Sequence, residues 1–255
     1  RLGALFSKGL ATGVRTGFDS GSTLDYVYED EARGLGPGGR LIDRQFLDAI
    51  GWRGIRQRKI HLEELIGTAL ARLRAKGKPL RVLDIAAGHG RYVLDAVAAS
   101  EAKPESVRLQ DFSPVNVEKG AALIAARGLV DIASFHRADA FDADGLACIE
   151  PRPTLAIVSG LYELFPDNGL IEASLDGLSR ALEPGALLLY TGQPWHPQRE
   201  MIARALTSHR GGEAWILRRR SQPEMDQLVA AGGCRKSEPR IDKWGIFAVS
   251  LAERI

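Results

Sequence analysis

An α/β fold with a largely parallel sheet is predicted by three features of the 255-residue chain. From about position 79 onward, short β-rich runs alternate with Ala- and Leu-rich helical stretches, the pattern of a sheet covered by helices on both faces. A loop of small residues, 84-DIAAGHG-90, follows the first of these runs. The last two runs are separated by too few residues for a crossover, so they form a hairpin and bring one antiparallel strand into an otherwise parallel sheet.

Strands are expected at 81–85, 107–111, 132–137, 155–160 and 186–192, with helices over 91–101, 114–128 and 169–183 between them. The hairpin takes 234–241 and 245–253 and completes a mixed seven-stranded sheet. Ahead of position 79 the pattern changes. Residues 41–50 and 58–76 read as amphipathic helices, with Leu41, Phe46 and Ile50, then Ile60, Leu62, Leu65, Leu70 and Leu73, at the apolar positions. Residues 11–39 are Gly-rich. Residues 1–78 are therefore expected to form a linker and helical cap or lid, and 79–255 the core.

A hydrophobic content of 45% supplies a full core, and a net charge of +2 gives no compositional case for nucleic acid. No basic stripe is interleaved with aromatics. Cys148 and Cys234 have neither metal spacing nor a disulfide framework, so both are expected to be buried structural thiols in a reducing cytosol. No apolar run approaches a membrane span, no signal peptide is visible and no ligand-spaced metal cluster occurs.

Open α/β sheets bind ligands beyond the carboxyl ends of their strands, which is where 84–90 falls. Its small residues let backbone approach a ligand, and the helix that follows favours a carboxylate or phosphate. Two enzyme readings compete. A dinucleotide fingerprint starting at Gly88 and Gly90 has Val93 where its third glycine belongs. The pattern D-x-A-x-G-x-G, formed by Asp84, Ala86, Gly88 and Gly90, resembles motif I of the class I S-adenosylmethionine-dependent methyltransferases.

Four later segments resemble the same family in order. Asp111 ends the second strand; the resemblance implies that it holds the ribose, with Phe112 against the adenine. The segment 138-ADAFD-142 is similar to the family's G-D-A, with Ala138 for Gly, which implies that Asp139 faces the adenine amino group with Ala140 beside it. The segment 159-SGLYELFPD-167, opening with Ser159 and Gly160, corresponds to the lining of the methyl-transfer site. The segment 181-ALEPGALLLYTGQP-194 is similar to the family's L-x-P-G-G turn, with Ala186 for the second Gly. Together these imply a Rossmann-like core over 79–255, S-adenosylmethionine as cofactor and S-adenosylhomocysteine as product.

The segments 17–34 and 40–66 resemble a bacterial methyltransferase domain that occurs fused behind an α/β-hydrolase (lysophospholipase-like) domain. Arg at position 1 agrees with the C-terminal half of a longer chain, and G-x-S-x-G is absent here. That resemblance implies a bifunctional protein and lipid-related chemistry.

Methyl transfer from a sulfonium is a displacement, for which an enzyme mainly supplies proximity and alignment. A base is needed only when the acceptor carries a proton of high pKa. Glu163 is the candidate base, or the counter-charge for a cationic amine, and Tyr162 could orient the acceptor; packing at a helix start is the alternative for each. Tyr26 and Tyr28 would share a face in an extended segment and could close over the sulfonium by cation–π contact. Arg53, Arg56, Arg58, Lys59 and His61 form either a solvated face or a site for an anionic acceptor or the cofactor carboxylate. His89 is expected to point to solvent, with the methionine end of the cofactor as the alternative. Trp195 and His196 line an acceptor pocket or pack a loop. Residues 1–10 form a linker or a segment lying on a membrane surface.

The expected function is S-adenosylmethionine-dependent methylation of a small-molecule or lipid-like acceptor. The expected place is the cytoplasm or the inner membrane face, with at most peripheral membrane contact and no nucleic-acid partner. A non-catalytic S-adenosylmethionine-binding or scaffolding domain and an NAD-type oxidoreductase are the alternatives.

Overall fold

The computed structural model describes residues 2–255. Its elements run α1 (Lys8–Thr16), α2 (Gly21–Glu29), α3 (Gly36–Leu47), α4 (Ile50–Ala75), β1 (Arg81–Asp84), α5 (Arg91–Ala99), β2 (Ser106–Asp111), α6 (Pro114–Ala126), β3 (Ala133–Arg137), α7 (Ala143–Ala147), β4 (Leu155–Val158), α8 (Asn168–Ala181), β5 (Leu187–Gly192), α9 (Arg199–Ala205), α10 (Gln222–Ala231), β6 (Cys234–Ile241) and β7 (Ala248–Arg254). Short 3₁₀ turns occupy Leu2–Leu5 and Tyr162–Leu164.

The strands form one seven-stranded sheet in the order β3-β2-β1-β4-β5-β7-β6. All neighbours are parallel except those of β7, which runs antiparallel to both β5 and β6. The chain order reverses between β1 and β4, which places the topological switch point beside the loop after β1. Because alternate residues of a strand face opposite sides, β1 sends Val82 to one face and Leu83 to the other. The Val82 face packs on α4 and α5, through residues such as Leu62, Leu65 and Val93. The Leu83 face packs on α8 and α10, through Ile171, Leu175 and Val229. Residues Leu155–Val158 of β4 are all buried, as a central parallel strand covered on both sides requires.

The division at position 78 does not match the packing. The second half of α4 supplies Leu62, Leu65, Ile66, Ala69, Leu70 and Leu73 to the central core, each fully buried, so this helix is a layer of the core. The N-terminal part that lies outside this core, α1–α3 and the start of α4, joins α9 and the segment after it in a third apolar cluster, with Phe18, Trp52, Trp215 and Phe247. The Gly-rich stretch within 11–39 is largely helical, in α1 and α2. Cys234 is buried as expected, but Cys148 is exposed at the end of the short α7. No helix of the described residues is long and apolar enough to cross a membrane.

If α4 belongs to the core, Leu65→Ala lowers unfolding free energy by about 2–5 kcal/mol in a urea titration. Leu41→Ala, at a position 64% exposed on α3, changes it by less than about 0.5 kcal/mol. Similar small effects at both positions would return α4 to a peripheral cap.

Candidate active site

The loop 85–90 turns sharply out of β1 and begins α5. Gly90 sits at φ +77°, and a Cβ there would lie 2.4 Å from Leu109 Cδ1, so the turn needs glycine on both counts. Gly90 caps α5 without a side-chain hydrogen bond, leaving the first-turn N–H groups unclaimed by a cap. Ala87 N–H donates to Gln110 O, and Gly88 N–H donates to Asp111 Oδ2 at 3.0 Å, which ties the loop to the end of β2.

A cleft of about 790 Å³ lies over this loop. Of the cofactor residues expected from the sequence, Ala86, Gly88, Gly90, Asp111, Phe112, Asp139, Ala140, Ser159 and Gly160 all line it. They come from the ends of β1, β2, β3 and β4, so the topology gathers what the chain keeps apart. Asp111 Oδ1 also accepts from Ser113 N–H at 2.9 Å and Asn116 Nδ2 at 3.0 Å. A carboxylate has about four acceptor positions, so roughly one stays free, and a second incoming hydroxyl has to compete with Asn116. Asp139 Oδ1 accepts from Phe141 N–H at 2.9 Å and stays exposed at the rim. Phe112 is 67% exposed, with the Arg137 guanidinium 5.5 Å from its ring centre.

Asp84 and Tyr26 stand elsewhere. Asp84 is fully buried beneath the loop, where the Tyr92 hydroxyl donates to it and Ala86 N–H donates at 3.3 Å; it is not on the cleft wall. Burial pushes its carboxyl up to about 7 against those hydrogen bonds, with the charge of Asp111 acting in the same direction as burial. Tyr26 is on a helix, so the period-two pairing with Tyr28 fails. Its hydroxyl donates to Asp43, while Tyr28 alone reaches the cleft. Tyr162 also turns away, donating to Ser174 Oγ at 2.9 Å within the α8 face of the core.

The cap closes on the loop through α2. His89, expected to face solvent, is buried: its Nδ1 lies 3.2 Å from Asp25 Oδ2 and its Nε2 3.3 Å from Ser22 Oγ. Arg91 Nε and Nη2 donate to the two oxygens of Asp25 at 2.6 and 2.9 Å, and Nη2 also donates to Glu29 at 2.9 Å. Burial alone would raise the Asp25 carboxyl, but the hydrogen bonds and charges of His89 and Arg91 prevail and hold it at about 2.

The basic run of α4 separates by role. Arg56 pairs with Asp30, Lys59 with Glu63 and Asp95, and the Arg53 guanidinium lies 5.2 Å from the Trp244 ring centre. Arg58 alone turns inward: it is 2% exposed, its Nη1 is 3.3 Å from Glu163 Oε1, and Tyr28 Oη is 3.5 Å from Nη2. A Cβ at Gly160 (φ +71°) would lie 3.1 Å from Arg58 Nη2, so this glycine lets the guanidinium come up to the end of β4. Glu163 Oε2, Arg58 Nε and Ser159 Oγ are buried without hydrogen-bond partners. Buried polar groups left unpaired cost about 1–3 kcal/mol each.

Arg58 and Gly160, which line the large cleft, also border a second, smaller chamber of about 250 Å³, and Glu163 lines this chamber alone. His196 lines it, whereas Trp195 does not and is 43% exposed. No group of three or more His, Cys, Asp or Glu able to hold a metal occurs among the described residues.

A family model described as "Putative methyltransferase" matches residues 1–254. The chain belongs to that family. It is also 56% identical over 254 residues to an uncharacterized protein of Escherichia coli (strain K12), YnbC, covering 100% of this chain and 43% of that protein; the chain thus spans less than half of this relative. Two solved structures share the fold at low identity. A "possible exported protein" from Bordetella parapertussis superposes with TM-score 0.75 at 17% identity, covering 96% of this chain and 85% of that one. The magnesium protoporphyrin IX methyltransferase of Synechocystis PCC 6803, with bound S-adenosylhomocysteine, gives TM-score 0.61 at 13% identity over 96% and 99%. The fold is that of the class I S-adenosylmethionine-dependent methyltransferases, as the sequence motifs imply.

Two outcomes follow from these contacts. Asp25→Asn weakens the clamp on Arg91 and His89 and costs about 1–3 kcal/mol, with faster hydrogen exchange over 21–29 than in the native protein; unchanged exchange there would contradict the clamp. Asp84 has a folded value of about 7, above the ordinary 3.8, so the native state binds the extra proton and stability falls as pH rises from about 4 through 7. Asn cannot ionise, so the melting temperature of Asp84→Asn relative to native rises between pH 5 and 8; a pH-independent difference would contradict the assignment.

Proposed function

We propose that this methyltransferase binds S-adenosylmethionine in the large cleft and methylates a small-molecule or lipid-like acceptor. The observation that carries the reading is the loop 85–90 tied to Asp111 at the floor of that cleft, at the switch point of the sheet. Asp111 offers its free acceptor position to one ribose hydroxyl and exchanges Asn116 for the other. Asp139 accepts from the adenine amino group, and Phe112 lies against the ring. The uncapped N-terminus of α5 and the adjoining loop N–H groups receive the methionine carboxylate. When bound, the cofactor supplies an electrophilic methyl group whose loss leaves the carbon–sulfur electron pair on sulfur.

A nicotinamide dinucleotide suits the site less well. Val93 stands where a third glycine would let helix and strand approach, and it is fully buried in the core. In this reading Glu163, partnered on one oxygen only, takes a proton or a hydrogen bond from the acceptor. Coverage of 43% of the longer relative supports a second functional unit in the whole protein, which we assign to the fused hydrolase. A lipid-like acceptor would then bring both activities to the inner membrane face.

Calorimetric titration tests the reading. Micromolar affinity for S-adenosylmethionine and S-adenosylhomocysteine is expected, with none for NAD; binding of NAD alone would overturn it. Asp111→Ala weakens S-adenosylhomocysteine binding about tenfold or more, as loss of a hydrogen bond to a charged group implies. It also lowers the melting temperature, because Gly88 and Ser113 lose an acceptor. Unchanged affinity would remove the ribose assignment.

A further inference from the structure

The second chamber adjoins the cofactor cleft at the Arg58–Glu163 pair. Asp19, Leu24, Arg58, Gly160 and Leu164 line both spaces, so the two meet across a shared wall. Beyond that wall the chamber is apolar, built from Phe46, Trp52, Ile55, Trp215 and Phe247, with Trp52 and Trp215 stacked at 5.9 Å. Its volume of about 250 Å³ suits a compact apolar molecule.

The polar groups around the chamber restrict what it takes. Glu163 Oε2 lacks a donor and Arg58 Nε lacks an acceptor, and both belong to one buried ion pair. The terminal torsion of a Glu side chain is soft, so either of its oxygens can turn to the chamber. An ammonium group would answer Glu163 but bring a second cation beside Arg58. A carboxylate would answer Arg58 but bring a second anion beside Glu163. A hydroxyl both donates and accepts, so it can donate to Glu163 once the carboxylate turns and accept from the Arg58 guanidinium without adding charge. His196 adds one further donor. Burial lowers its imidazole to about 4, so it is neutral at pH 7, and its Nδ1 accepts from Gln198 N–H at 3.1 Å, which leaves the proton on Nε2.

We propose that the second chamber is the methyl-acceptor site and that it takes a neutral, apolar alcohol or phenol whose hydroxyl meets the Arg58–Glu163 pair. This rests on the donor assignment above and names the acceptor class for the same site. The acceptor oxygen forms the new bond to the methyl carbon, its proton passes to Glu163, and the carbon–sulfur pair remains on sulfur. Glu163 is then catalytic, and His196 positions an oxygen of the acceptor through Nε2–H.

The test uses three ligands that differ in their polar group: 4-butylphenol, 4-butylbenzylamine and 4-butylbenzoate. Each is titrated calorimetrically into the protein saturated with S-adenosylhomocysteine. The phenol is expected to bind at least about tenfold more tightly than the cation or the anion, a difference of about 1.4 kcal/mol. Two variants fill the chamber: Gly51→Val, where even a Cβ would come within 2.7 Å of His196 Nε2, and Met201→Trp at a half-exposed wall position. Each is expected to weaken phenol binding about tenfold while leaving S-adenosylhomocysteine affinity within about twofold, which also shows that the variant is folded. Equal binding of the three ligands, or phenol binding indifferent to both variants, would overturn the proposal. Should S-adenosylhomocysteine fail to bind the native protein while the phenol still binds in a chamber-dependent way, the donor assignment fails and the chamber stands.

Discussion

The site depends on one buried ion pair, Arg58 with Glu163, whose side chains are 2% and 6% exposed. Removing two charges from water is costly, and a single 3.3 Å contact is a modest return for it. The guanidinium also lies 5.0 Å from the Phe247 ring centre, a favourable face for a desolvated cation. Both partners still keep an unanswered polar atom. Stability alone does not account for this arrangement, because well-packed apolar residues would fill the space as well or better. The pair instead joins α4 to the turn after β4, with Arg58 on the wall shared by the large cleft and the apolar chamber and Glu163 on the chamber side.

The cap is held above that wall by carboxylates, two buried and one half-buried, that serve as anchors. Asp43 accepts from Ser7 Oγ at 2.6 Å, Gly9 N–H at 2.8 Å, Arg33 N–H at 2.8 Å and the Tyr26 hydroxyl, and so ties α1, α2 and α3 together. Asp19 accepts from Ser208 Oγ and His209 N–H, both at 2.6 Å, and binds the start of α2 to the segment beyond α9. Asp25 clamps α2 to the loop that begins α5. A carboxylate with several donors is stable in a buried place, so each anchor fixes position and offsets its own desolvation.

Strand and helix positions in the core were legible because period-two and helical patterns are strong there and the turns are marked by Gly and Pro. Asp111 and Asp139 were picked out by the motifs they share with the resembled family, and both line the cleft. The cap was harder to read. Its helices α1 and α2 are rich in Gly, Ser and Thr, residues of weak helix propensity, and tertiary packing decides their conformation. Local signals did exist: Ser7 Oγ accepts from Leu10 N–H and Ser20 Oγ from Thr23 N–H, both N-caps. The unanticipated α10 carries Ser221 three residues before Glu224, a capping-box spacing, and Ser221 Oγ accepts from Glu224 N–H. Reading residues 25–30 as extended misdirected Tyr26. The Arg58–Glu163 contact spans 105 residues of sequence, and no local pattern distinguishes Arg58 from its solvated neighbours.

The central claim is that the methyl donor's sulfur comes to rest where the two spaces meet. A crystal structure of the protein with S-adenosylhomocysteine tests it most directly. The account predicts the adenosine end at Asp111 and Asp139 and the sulfur against the wall formed by Leu24, Gly160 and Leu164, beside Arg58 and Glu163. A ligand bound with its sulfur directed away from that wall, or seated outside the cleft, would contradict it.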